Sequence, residues 1–149
     1  MNKKKGIVIG MGGMGLRHIK SLNSLKIKIV GICDKNIKKI EKINLPGAVK
    51  TSNFRKLLNL KADIVCIASN TQSRETILRE FLLFSKVEKI LIEKPLAISF
   101  NKCLKLKNLI KKNKNKKVIV NTFRTLSPNF KKIKNFFTKK NEKITHISI

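Results

Sequence analysis

The hydrophobic pattern alternates between two periods along the whole chain. Short aliphatic runs, rich in β-branched residues, fall at Gly6 to Ile9, Ile27 to Cys33, Ala62 to Ala68, Lys89 to Ile92 and Val118 to Val120. Such runs predict strands covered on both faces, as in a parallel sheet. Between them, apolar residues recur at helical spacing. One set is Leu16, Ile19 and Leu22; a second is Ile77, Phe81 and Phe84 with Leu78 and Leu82 beside them. A third is Cys103, Leu106, Leu109 and Ile110, and the last is Phe130, Ile133, Phe136 and Phe137. Strands alternating with helices predict an α/β fold, a doubly wound parallel sheet with right-handed crossovers and strand order 3-2-1-4-5-6.

Capping residues set the boundaries. Asn36 opens a short helix over Ile37 to Ile43, and Pro46-Gly47 turns the chain into a brief edge strand at Ala48 to Lys50. Ser52 or Asn53 caps another short helix through Phe54, Leu57 and Leu58. The polar turn Ser69-Asn70-Thr71 precedes a helix from about Gln72 to Phe84, and Ser99 caps the next one. Ser127-Pro128 places a cap and a first-turn proline before the last helix, and Ile144 to Ile149 reads as one more strand.

The first strand breaks into glycine. Gly10, Gly12 and Gly15 fall at G-x-G-x-x-G spacing between strand and helix. Gly10 allows a tight turn, Gly12 lets the backbone approach a pyrophosphate, and Gly15 lets helix and strand pack closely. The first-turn N–H groups, around Gly13 and Met14, then face an anion with the positive end of the helix dipole behind them. Three glycines alone are a weak signal, since glycine marks many turns. Asp34 sharpens it: it ends the second strand about twenty residues beyond Gly15, where a carboxylate accepts hydrogen bonds from the adenosine ribose. Its simpler reading is that it merely opens the next loop. Asp34 favours NAD, while Lys35 beside it could neutralise a 2′-phosphate and so allow NADP. Ligands of such a sheet lie at the carboxyl ends of the strands, where Gly10, Asp34, Ser69, Glu93 and Asn121 all fall.

Charge complicates this picture. The formal net charge is +27 in 149 residues, a field that attracts polyanions. Yet the lysines are scattered along the chain, Tyr and Trp are absent, and no Arg-rich stripe is present to read bases. Nucleic-acid binding is therefore not the expected main function, and the lysine-rich run Lys111 to Lys117 reads as a solvated helix end. A hydrophobic fraction of 42% supports a packed core. No apolar run approaches the roughly 18 residues of a membrane helix, and Met1 to Lys5 leads directly into the first strand; a cytoplasmic protein is expected. Cys33, Cys66 and Cys103 form no C-x-x-C pair, and His18 and His146 are too few and too far apart for a metal site. His18 reads as a polar-face residue of the first helix.

At Glu93-Lys94-Pro95 the sequence resembles one family, the glucose-fructose oxidoreductase, inositol dehydrogenase and rhizopine-catabolism (Gfo/Idh/MocA) oxidoreductases. The resemblance extends over the glycine turn, Asp34, Asp63 to Asn70, I-L-I-E-K-P-L-A from Ile90 to Ala97 and V-N-T-F-R-T-L-S-P from Val120 to Pro128. It implies an NAD(P)-dependent enzyme that transfers hydride between nicotinamide and a hydroxyl of a sugar, cyclitol or nucleotide sugar. It implies that Lys94 is the catalytic group near the substrate hydroxyl, that Glu93 helps orient the nicotinamide, and that a cis bond before Pro95 is allowed. The chemistry is sound, because an ammonium there stabilises negative charge developing on oxygen as hydride leaves carbon. A surface lysine at a strand end is the plainer alternative. Arg124 matches a family arginine, and Ser69 and Asn70 stand in the turn that contacts cofactor.

Some positions depart from the family pattern. An A-T-P turn followed by His is usual where this chain has Ala68-Ser69-Asn70 and then Arg74, and Thr125 stands where a second arginine is common. The resemblance also implies a second, mostly antiparallel domain that forms the substrate pocket. Residues 1–125 are thus expected to be the dinucleotide-binding domain, and 126–149 a connecting helix and the first strand of that second unit. The expected partner is a separate C-terminal domain or a second copy of the chain in a homo-oligomer. Two other readings stand beside the enzyme: a non-catalytic dinucleotide-binding module, and a basic nucleic-acid binder.

Overall fold

The computed structural model of the protein describes residues 3–122 and 127–140. Six strands form one sheet: β1 (Lys5–Ile9), β2 (Lys28–Cys33), β3 (Val49–Thr51), β4 (Ile64–Ile67), β5 (Lys89–Glu93) and β6 (Lys117–Asn121). Every pairing is parallel and the order is β3-β2-β1-β4-β5-β6, as the alternation predicts. The order reverses between β1 and β4, which opens a crevice at the carboxyl ends of those two strands. Among the described residues four helices connect the strands, α1 (Gly13–Ser24), α2 (Ile37–Glu41), α3 (Thr71–Phe84) and α4 (Phe100–Lys112), with a 3-10 turn at Phe54–Leu57, and α5 (Pro128–Lys140) follows β6.

Both faces of the sheet are covered because successive strand residues point to opposite sides. Ile7 and Ile9 of β1, with Val65 and Ile67 of β4, join Leu78, Phe81 and Leu82 of α3 and Leu106 of α4 in one core. Val8 and Cys66, the residues between them, join Ile19 and Leu22 of α1 and Ile40 of α2 in the other. The helices begin where small polar side chains take a first-turn N–H: Asn36 from Lys38, Asn70 from Ser73, Ser99 from Lys102 and Ser127 from Phe130. Of the two candidates before the 3-10 turn, Asn53 is the cap.

Several inward-facing positions are corrected. In α1 the buried residues are Gly15, His18, Ile19 and Leu22, while Leu16 is 43% exposed. The helix is rotated so that Gly15 and His18 meet the sheet, because close approach at Gly15 sets the contact line. Phe84, at the end of α3, is 66% exposed. In α5 the residues Phe130, Ile133 and Phe136 are about half exposed despite their inward periodicity. The end of the lysine-rich run is also not free, since Lys116 Nζ donates to the carbonyls of Ser85 and Val87. The strand expected at 144–149 and His146 lie outside the described residues.

Candidate functional site

The turn from β1 into α1 is fixed by two glycines with different constraints. Gly10 has φ +93° and hands its N–H to Cys33 O at 2.7 Å, so the chain leaves the strand through a left-handed residue tied to β2. A Cβ on Gly15 would fall 1.7 Å from Gly10 O, so helix and strand touch through bare backbone. Gly12 differs from both. Its φ and ψ of −80° and −173° suit any residue, and a Cβ there would meet nothing within 4 Å. Among the described residues nothing requires glycine at this position; a bound group would need the space.

That space suits a diphosphate. Gly12 caps α1 without a side-chain hydrogen bond, and no acidic residue stands in the first turn. The leading N–H groups of the helix therefore point outward with the dipole behind them. Gly13 and Met14 supply two of them, as the spacing predicts.

Two clefts meet beside this turn. The first, about 260 Å³, is lined by Gly10, Gly12, Asp34, Lys35, Ser69 and Asn70 among others, with Lys39 and Ser73 joining them. The second, about 190 Å³, is lined by Met14, Ala68, Arg74, Glu93, Lys94 and Asn121. Ala68 borders both, so the cleft lined by Asp34 and the cleft lined by Lys94 are neighbours at the carboxyl edge of the sheet. The structure thus brings together every described candidate from the sequence; Gly15 packs beneath the turn, and Arg124 lies outside the described residues.

Asp34 has a structural duty as well. One carboxylate oxygen accepts the Met11 N–H at 2.6 Å and the other the Asn36 N–H at 2.9 Å, so it braces the glycine turn against the start of α2. Each oxygen retains a further lone pair for a ligand hydroxyl.

The second cleft contains groups that periodicity alone did not find. Glu93 is 6% exposed, and its Oε1 lies 2.9 Å from His18 Nε2 and accepts from Asn121 Nδ2 at 2.5 Å. His18 is therefore not on a solvent-facing side: it is buried and reaches from α1 to the end of β5. The signal was present, since His18 follows Gly15 by three residues on the face that ends in Leu22. Arg74, in the second turn of α3, is 5% exposed and donates to Ser69 O at 2.5 Å and to Pro95 O. Burial holds its guanidinium below the ordinary value, and the Glu93 carboxylate opposes that shift. The Lys94–Pro95 bond is cis. Lys94 itself is exposed at the mouth of the cleft.

Cys66, in the middle of β4, is buried beneath this site. Burial pushes its thiol up to about 12, with the Glu93 charge adding to the effect. Cys33 rises to about 11 through burial and then Asp34. Neither is a nucleophile near neutral pH. Among the described residues no group of His, Cys, Asp or Glu could hold a metal ion. No helix among them is long and apolar enough to cross a membrane.

The family model described as "Oxidoreductase family, NAD-binding Rossmann fold" (GFO_IDH_MocA) matches residues 4–122. No curated protein matches the sequence. Among solved structures, the WlbA dehydrogenase from Chromobacterium violaceum, in complex with NADH and UDP-GlcNAcA, superposes with a TM-score of 0.81 at 19% identity, over 94% of this chain and 41% of that one. The myo-inositol 2-dehydrogenase from Lactobacillus plantarum gives 0.78 at 20% identity, over 94% and 42%. An NAD-binding protein from Listeria innocua gives 0.76 at 25% identity, over 93% and 41%. The chain thus spans about two-fifths of the length of these structures.

Proposed function

Because this chain belongs to the Gfo/Idh/MocA oxidoreductase family and is an NAD-binding Rossmann domain of that family, we propose that it serves hydride transfer at a hydroxyl-bearing carbon of a sugar, cyclitol or nucleotide sugar. Bound NAD supplies the hydride acceptor. The protein's part is to bind and orient. Gly10, Gly12 and Gly15 shape the turn, and the N–H groups of Gly13 and Met14 face the linked phosphates. Asp34 takes the adenosine ribose hydroxyls, with Lys35 beside it, and Ser69 and Asn70 line the same cleft. Glu93 and Asn121 hold the nicotinamide end, where the Lys94 ammonium would stabilise negative charge on the substrate oxygen. Arg124 completes the candidate set. The substrate class rests on the family and on what relatives of the same fold are named for, inositol and a UDP-sugar acid.

The observation that carries this reading is the pair of neighbouring clefts, one lined by Gly12 and Asp34 and the other by Glu93 and Lys94, that share Ala68. Titration with NADH, read by nicotinamide fluorescence, tests its binding half. Wild type should bind, and Gly12→Val, whose side chain would occupy the phosphate space, should not. Equal binding by the two would end the proposal. For the chemical half, NAD reduction is followed with a panel of inositols and UDP-sugars, with the substrate domain that the resemblance implies supplied in cis or in trans. Lys94→Met should lose about 10²- to 10⁴-fold in kcat while still binding NADH. Binding without oxidation of any of them, even with that domain supplied, would make the chain a non-catalytic dinucleotide module.

A further inference from the structure

Lys94 stands between two tethers. On its N-terminal side the buried Glu93 carboxylate is fixed by His18 and Asn121. On its C-terminal side lies Pro95, which has no N–H, so its carbonyl is the only backbone polar group that can anchor it. That carbonyl accepts from Arg74 Nη1, while Nη2 of the same guanidinium donates to Ser69 O. One buried side chain thus fastens the turn after β4 to the turn after β5.

The cost of this arrangement argues for a purpose. Arg74 is 5% exposed, its Nε is buried without a hydrogen-bond partner among the described residues, and its charge reaches back towards the N-terminal end of α3, the unfavourable end of that helix dipole. A neutral residue would avoid all three penalties. What arginine offers in return is a planar fork that holds two carbonyls at a fixed separation, which a lysine ammonium, a point charge, does not reproduce.

We propose that Arg74 is the positioning residue for Lys94: its guanidinium sets where the Lys94–Pro95 segment stands against the nicotinamide end of the site. The inference rests on the dinucleotide reading above. It predicts an effect confined to that end. The Ser69 side of the latch is held independently, by the Asn70 cap on Ser73 and by the Ala68 N–H to Ile9 O at 2.7 Å. The Pro95 carbonyl has its partner in Arg74.

The test compares two probes, NADH and ADP-ribose, which lacks the nicotinamide. Arg74→Met should bind ADP-ribose within about twofold of wild type while NADH binding weakens by about tenfold. Arg74→Lys keeps the charge and stem but not the fork, and should show the same selective loss if the Met variant does not fold. Loss of both ligands together would make Arg74 a general stabiliser of the domain. Unchanged NADH binding in a folded variant would show that the Lys94–Pro95 segment stands against the nicotinamide end without it. Either result overturns the inference and leaves the dinucleotide reading intact. Failure of wild type to bind ADP-ribose would instead remove that reading and this inference with it.

Discussion

At the scale of single residues, the glycines of the first turn separate two demands that one motif conceals. Gly15→Ala would drive a Cβ to 1.7 Å from the Gly10 carbonyl, backbone against backbone, with no flexible side chain to give way. It should cost more than about 3 kcal/mol of folding stability, read from urea unfolding. Gly12→Val meets nothing and has an ordinary backbone conformation. Its cost should stay within about 1 kcal/mol, the penalty of a poor helix cap. A Gly12→Val protein as destabilised as Gly15→Ala would mean that the space beside Gly12 belongs to the fold rather than to a ligand. Cys66 supplies a pH prediction. Its thiol rises from 9.0 to about 12 on folding, so above pH 9 the unfolded chain loses a proton that the folded chain retains. The stabilisation is complete below about pH 9 and is lost progressively as pH rises through about 12, at no more than about 1.4 kcal/mol per pH unit. Comparing wild type with Cys66→Ala across that window isolates the effect from the titration of the lysines.

At the scale of elements, periodicity and tertiary cover have to be distinguished. Phe81 in α3 has no exposed surface, and Phe81→Ala should cost about 3–5 kcal/mol. Ile133 in α5 has the same helical spacing on paper but is 55% exposed. Ile133→Gln should change stability by less than about 1 kcal/mol in the same melt. A cost like that of Phe81→Ala would show that α5 is packed into the core. This contrast also marks what the sequence could and could not disclose. Strand runs, caps and strand order were legible because covered parallel strands and capped helices leave local patterns. Gly10, Gly12 and Asp34 stood out by their spacing, and the Glu93-Lys94 pair by its resemblance to the family motif. His18 and Arg74 were misplaced or left without a role for one physical reason. A period argument sends polar residues outward, whereas these two go inward to meet partners remote in sequence, Glu93 for one and the carbonyls of Ser69 and Pro95 for the other. In α1 the decisive residue was Gly15, which brings that face against the sheet and takes His18 in with it.

At the scale of the whole molecule, the parallel sheet sorts charge from chemistry. Strands β1, β2, β5 and β6 each begin at a lysine, and the pairing sets Lys5 beside Lys28 and Lys89 beside Lys117. Because all strands run the same way, these ammonium groups gather on one rim. A pocket there is lined by Lys3, Lys4, Lys5, Lys61 and Lys86, with Asp63 among them. The glycine turn, Asp34 and Lys94 occupy the opposite rim. The net charge of +27 nevertheless acts on both, as a long-range field that salt screens. NADH carries its charge on the linked phosphates, so its affinity should fall by a few-fold between about 0.05 and 0.5 M salt, while neutral adenosine changes little. Heparin should associate far more steeply with falling salt, as polyanions do. Held at the lysine rim, it should leave NADH bound. Competition between the two, measured by nicotinamide fluorescence at fixed salt, decides the matter. Displacement of NADH by heparin would place the centre of the basic field at the glycine turn itself, and the division of the molecule into a charged rim and a chemical rim would be wrong.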